Sequence, residues 1–361
     1  MVVGAGITGL SCAWRLVQAG FEVVVVDGGT GPATSRVAAG MLAPTSEHRP
    51  GEEALTALLL EAADRWPGFA AELEEASGMQ VGLRRCGTLL TGFDADDRRE
   101  VERSYAMHAD LGLPAERLER SRIDDFLPGL SPKVASGVLV PGDHQVDPRA
   151  TCDALAVVLA ASGAQRHLGS VVAVSPTSVT LGDGSTLDAD AVVVATGANA
   201  EAIQGLPRGS ADVIRPVKGF TLRLAEREPL DLACTLRGLV EGRPVYVVPR
   251  ESGEVVVGAT SSEIGFDDAV EAGGLSNLLA DALALLPGLE EAAFTGVDVG
   301  FRPATPDHAP IVGLLGGVAV ALGSYRNGIL LAPLLAEVVV EAIAGNEQPA
   351  VLQSFPVERF A

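Results

Sequence analysis

Residues 2 to 27 read VVGAGITGLSCAWRLVQAGFEVVVVD, and no other stretch of the 361-residue chain constrains its fold as strongly. Apolar residues lead into Gly4-x-Gly6-x-x-Gly9, a helical stretch runs through Gln18, and a strand-like run from Phe21 to Val26 closes on Asp27. The order is strand, tight turn, helix, strand. Gly4 permits the turn, Gly6 lets backbone N–H groups approach a pyrophosphate, and Gly9 lets the helix pack closely on the strand. The helix amino terminus adds a positive dipole end for the phosphate charge, and Asp27 is placed to accept hydrogen bonds from an adenosine ribose. Three glycines alone can punctuate any loop. It is the complete βαβ context with its acidic residue that makes this a dinucleotide site. Only Val2 and Val3 precede Gly4, so the first strand is short and a start upstream of Met1 stays open. Because the chain opens directly into the motif, no signal peptide is expected.

The rest of the composition limits the partners. At roughly 150 residues per domain the length suits about two domains, large enough to enclose a cofactor. With 26 Lys plus Arg against 47 Asp plus Glu, the formal charge of -21 makes nucleic acid and anionic membranes poor partners. The longest nearly pure apolar run, Ile311 to Gly323, has 13 residues and four glycines. That is short of the ~20 needed to span a bilayer, and it reads as two core strands around Gly316 and Gly317. Cys12, Cys86, Cys152 and Cys234 show no paired spacing for zinc, redox exchange or a disulfide scaffold, which fits a reducing cytoplasm. The histidines, His48, His108, His144, His167 and His308, lack metal-ligand spacing and read as structural or surface residues, so no metal is expected.

Further along, the chain alternates between two kinds of segment. Glu52 to Ser77 has helical periodicity that Pro67 should kink or divide. A strand over Gly82 to Thr91 and a charged amphipathic helix over Asp94 to Leu111 follow. Asp147-Pro148 caps and opens a helix through Ala161, and a small meander covers Val171 to Leu187. Asp190 to Gly197 is a buried parallel-type strand that returns to the nucleotide sheet. Strands dominate Arg215 to Val299, with one helix near Leu275 to Leu286, and a helix from about Gly328 to Ala344 ends the fold. The expected class is α/β (α+β overall): a Rossmann-like domain of residues 1–80, 143–212 and 297–361, with an antiparallel-sheet substrate domain of residues 81–142 and 213–296.

GAGITG with Asp27, SRVAAGMLAP (Ser35 to Pro44), VDPR (Val146 to Arg149), RPVKGF (Arg215 to Phe220), YVVPR (Tyr246 to Arg250), VGATS (Val257 to Ser261), GFRPATPD (Gly300 to Asp307) and SYRNGILLAP (Ser324 to Pro333) together resemble the glycine oxidase branch of the D-amino-acid oxidase family. The resemblance spans nearly the whole chain. It implies non-covalent FAD, since no cysteine follows Cys234 to tether it. The implied cofactor contacts are Gly4, Gly6, Ile7, Thr8, Gly9, Asp27 and Gly28; Thr34, Ser35, Ala39, Gly40 and Met41; Val171, Thr196 and Gly197; and Gly300, Gly323, Tyr325, Asn327, Gly328, Ile329 and Leu330. It also implies oxidative deamination of a small amino acid, with dioxygen as the acceptor and peroxide as a product. Glycine would give glyoxylate and ammonia, in the setting of thiamine thiazole synthesis. A homo-oligomer and a hand-off to a thiazole synthase are the implied associations.

Residue chemistry supports the same site. A carboxylate is the natural handle on an amino acid, and a guanidinium fork fixes both its position and its orientation. Arg302, framed by Gly300 and Pro303, is the expected anchor. The resemblance makes Tyr246 the second, able to donate its hydroxyl while its ring excludes water, and Arg326 resembles the family's second substrate-side Arg, which would help position the substrate or the flavin edge. The helix opening at Asn327 would aim free N–H groups at the flavin pyrimidine edge, so no side-chain general base is required. Lys218 and Phe220 depart from the branch's usual Arg and Gln, and are expected to bear on the pocket or the interdomain hinge. Sarcosine or small D-amino acids as substrates, a dehydrogenase using another acceptor, a non-catalytic flavin module and, most weakly, an NAD-dependent enzyme remain the competing readings.

Overall fold

The computed structural model describes residues 1–29, 34–125 and 127–360. Two sheets organise it. The first has six strands in the order Ile311–Leu315, Val318–Leu322, Val193–Val194, Val2–Val3, Val24–Asp27 and Gln165–Leu168. Its four inner and outer pairings around Val2–Val3 are parallel, and only the Ile311–Leu315 hairpin is antiparallel. Although Val2–Val3 is only two residues long, it is central: Val2 and Val3 pair with Val193 and Val194 on one side and with Val25 and Val26 on the other. The hairpin turns at Gly316 and Gly317, as the apolar run implied.

One face of this sheet is covered by helices Ile7–Gln18, Glu53–Ser77, Pro148–Ala161 and Gly328–Ala344, which share one apolar core. Pro67 sits inside Glu53–Ser77 without dividing it. In this core Trp66, 1% exposed, donates its Nε1–H to Leu330 O at 3.0 Å. Truncating so large a buried ring costs about 3–5 kcal/mol. Residues Tyr325–Ala344 are long and apolar enough by composition to cross a membrane, but their apolar side chains fill this core. The other face carries the meander Val171–Ser175, Ser178–Leu181 and Thr186–Asp188.

The second sheet has eight strands in the order Ala293–Ala304, Arg215–Ala225, Glu254–Gly258, Arg243–Pro249, Thr235–Val240, Thr88–Gly92, Ser136–Val140 and Glu116–Glu119. All neighbours are antiparallel except Thr235–Val240 with Thr88–Gly92. Helix Ala272–Leu285 packs beneath it. The expected boundary at residue 297 falls inside a strand. Arg215 to Ala225 pair with Ala304 back to Ala293, with one register shift between Arg223 and Leu224, so residues 297–304 lie in a strand of the eight-stranded sheet.

Strand alternation also corrects the reading of RPVKGF. Gly219 and Thr221 face the cavity between the sheets, whereas Lys218 and Phe220 face away from it. Phe220 is in the core under helix Ala272–Leu285, and buried Lys218 donates to Ala269 O and Glu271 Oε1. Neither shapes the pocket.

Candidate active site

A cavity of about 1600 Å³ runs from the Gly4 turn to the inner face of the eight-stranded sheet. Its nucleotide end follows directly from the glycine pattern. Gly4 has φ of +107°, and a methyl group on Gly9 would lie 2.0 Å from Gly4 O, so helix and strand touch where only glycine fits. Gly6 precedes the helix with no side-chain cap, and the Ile7 N–H is taken by Ser35 Oγ at 3.0 Å. Asp27 braces the turn, accepting from Ala5 N–H and Gly29 N–H, both at 2.8 Å. Thr8, Asp27, Gly28, Val171, Thr196 and Gly197 line this end.

Along the middle, Thr34, Ser35, Ala39, Gly40 and Met41 line the cavity, and Thr34 and Val37 pack against Gly300. Two buried arginines clasp this segment, Arg223 in the eight-stranded sheet and Arg250 just after its strand Arg243–Pro249. Arg223 donates to Val37 O at 3.2 Å and pairs with Asp298 and Glu254, while Arg250 bonds Ala39 O and Val146 O. Each end of the clasp is a side chain far away in sequence from the loop it holds.

At the far end Arg302 extends from strand Ala293–Ala304. Its guanidinium makes one hydrogen bond, to Thr260 O at 3.2 Å, and no ion pair among the described residues. Gly219, on the adjacent strand, leaves it room by lacking a side chain: a Cβ there would stand 2.3 Å from Nη1 and 2.6 Å from Thr260 O. Tyr246 lies across Gly258, where a Cβ would be 2.1 Å from the hydroxyl. Burial pushes that hydroxyl above its ordinary range, with Arg302 pulling the other way, so it stays a proton-bearing donor at neutral pH.

Arg326 is fixed from behind rather than free. Its Nη2 meets Glu52 Oε2 at 2.9 Å, its Nε is 3.4 Å from Glu47 Oε2, and Glu47 also holds Arg237 at 2.8 Å. Glu52 continues to His308 Nδ1 at 2.8 Å, and that ring stacks on Tyr325. Arg237 pairs directly across the ladder from Tyr246. Glu47, Glu52, Arg223, Arg237 and Gly219 were missed by sequence reasoning. Only Gly219 had a local signal, its place in RPVKGF.

Three expected cofactor residues lie off the cavity surface. Gly9 packs against Gly4, Leu330 fills the helical core, and Asn327 is buried at the start of Gly328–Ala344, while Gly323, Tyr325, Gly328 and Ile329 line the wall. Cys12, Cys152 and Cys234 are buried, their thiols pushed up to about 12 by burial, and are unreactive.

The residues present fit a flavin dinucleotide. In the cavity lining, Thr196 Oγ1 and Arg326 Nη1 are buried without a partner among the described residues, although nearly all such groups in native proteins are paired. Gly6 and the start of Gly328–Ala344 present backbone N–H groups in the same region. The fold and this cavity together define a dinucleotide-binding protein.

Comparison with known proteins makes that specific. The FAD dependent oxidoreductase (DAO) family model matches residues 1–342, and the chain belongs to that family. It is similar to glycine oxidase of Geobacillus kaustophilus, 32% identical over 99% of this chain and 96% of the relative. The crystal structure of glycine oxidase from that organism superposes with a TM-score of 0.89, covering 100% of this chain and 98% of the other. The bifunctional protein ThiO/ThiG of Trichormus variabilis is 31% identical over 100% of this chain but 55% of its own length. The chain thus spans about half the length of the bifunctional relatives.

Proposed function

We propose that the protein oxidises glycine, or a similarly small amino acid such as sarcosine or D-alanine, to the imine, which hydrolyses to glyoxylate or the matching 2-oxo acid with release of ammonia. The observation that carries this reading is Arg302, a cavity-lining guanidinium with no carboxylate partner among the described residues, beside the Tyr246 hydroxyl. An incoming α-carboxylate completes that pair. The Arg302 fork supplies two charge-assisted hydrogen bonds, and Tyr246 donates a third to the same group. The Tyr246 ring over Gly258 excludes water from this side, and the ion-paired Arg237 and Arg326 close the wall around a small substrate.

Thr196, Gly6, Ser35 and the start of Gly328–Ala344 would hold FAD. When bound, FAD supplies the hydride acceptor, which dioxygen reoxidises with formation of peroxide. The protein's own task is to deliver a neutral amine with its α-hydrogen aligned, which needs no side-chain base. Relatives bearing the name ThiO/ThiG support passing the imine to a thiazole synthase. Four unpaired cysteines support a cytoplasmic location, and the family resemblance supports a homo-oligomer. Oxygen uptake with glycine, sarcosine, D-alanine and D-proline, with peroxide and 2-oxo acid assays, tests the reading. Glycine turnover yielding stoichiometric peroxide is expected, and no uptake with any of the four would refute it.

A further inference from the structure

Glu47 is the hub of the cavity's charge network, yet the segment Thr45 to Glu52 that carries it has no regular secondary structure. Its amino end is nevertheless pinned by a single side chain. Asp143 follows strand Ser136–Val140, is 0% exposed, and accepts Thr45 N–H at 3.1 Å on one carboxylate oxygen and Ser46 N–H at 3.0 Å on the other. No ion pair involving Asp143 occurs among the described residues. A buried carboxylate without a salt bridge is costly, so the acceptor geometry must need it. Two successive N–H groups demand acceptors on both arms. Asparagine of the same shape would turn an NH2 donor toward one of them.

We infer that Asp143 is a positioning residue for the substrate site: by gripping Thr45 and Ser46 it sets Glu47 where its two oxygens reach Arg237 and Arg326, and so fixes the cavity wall beside Tyr246. The inference rests on the substrate site proposed above. The group is also poised to respond to acid. Burial pushes its carboxyl up to about 6, against the pull of the Ser46 and Thr45 hydrogen bonds and of Arg237. The charged and titratable groups around it are Arg237 on Thr235–Val240, Glu47 and His48 on the pinned segment, His108 in helix Ala95–Asp110, and its neighbour His144. Burial lowers both His108 and His144. Protonating Asp143 turns an acceptor into a donor facing an N–H and releases one pin.

The test uses the FAD-loaded full chain and glycolate, a non-amine carboxylate whose binding is read from perturbation of the flavin absorbance. Asp143→Asn is expected to raise the glycolate Kd and the glycine KM about tenfold, the cost of one charge-assisted hydrogen bond, while kcat and the FAD Kd stay within about twofold. Wild-type glycolate affinity should fall as the pH drops through about 6, and the variant should lack that limb. Unchanged glycolate binding in the variant overturns the inference, as does a loss of FAD affinity equal to the loss of glycolate affinity. Should Asp143→Asn not fold, a flat wild-type profile between pH 8 and about 5 overturns it equally. If wild type at pH 8 binds no glycolate, the proposed substrate site itself fails, which is a separate and visible result.

Discussion

At the nucleotide end of the cavity, Gly4, Gly6, Gly9 and Asp27 belong to one βαβ unit, and local geometry alone brings them together. At the substrate end, Glu47, Arg237, Tyr246, Arg302 and Arg326 come from five separate segments, and only the pairing of the eight-stranded sheet and the Glu47 bridge unite them. At Gly4 and Gly9 the first end is backbone against backbone and leaves no room for a side chain. The second is assembled from side chains, so each can be removed and its loss measured separately.

The largest effect expected is at the closest backbone approach. Gly9→Val puts bulk where even a methyl would sit 2.0 Å from Gly4 O, and no soluble folded protein should be recovered by circular dichroism. Gly6→Val separates binding from folding. The nearest atom to a Cβ there is Ser35 Oγ at 3.3 Å, so the chain should fold with a Tm near wild type and yet purify without flavin absorbance. Arg302→Ala should cost about 2 to 4 kcal/mol in transition-state binding, read as kcat/KM for glycine, with normal FAD content. Tyr246→Phe removes one donor and keeps the ring, for a loss of about 1 kcal/mol by the same assay. Because burial raises the Tyr246 hydroxyl, no alkaline loss of activity from its ionisation is expected near neutrality. The smallest effect belongs to Lys218→Met, whose side chain faces helix Ala272–Leu285. Its kcat/KM should match wild type, and a change above about threefold would mean that Lys218 communicates with the cavity.

The same contrast explains what was legible in the sequence. The βαβ unit, the Asp147 cap, the Gly316 hairpin and the meander are governed by short-range patterns, and each lies where its residues imply. Arg302 was legible as a single candidate because of its glycine and proline framing and Tyr246 through the family resemblance, and the sheet brings both to the cavity. The Glu47 bridge was not legible, since nothing near residue 47 signals that Arg237 and Arg326 will arrive beside it. Lys218 and Phe220 drew notice by residue type, whereas strand alternation decides which way they point. No break in composition near residue 297 signals that residues 297–304 continue the strand that pairs with Arg215–Ala225.

The most direct test of the central claim, that the cavity joins a flavin site to an amino-acid anchor at Arg302, is anaerobic addition of glycine to the purified FAD-loaded protein while following the flavin visible band. Bleaching by glycine, slowed at least about thirtyfold in Arg302→Ala at equal flavin loading, is the result the account predicts. A flavin that glycine, sarcosine and small D-amino acids all leave oxidised, or that Arg302→Ala reduces as fast as wild type, would contradict it.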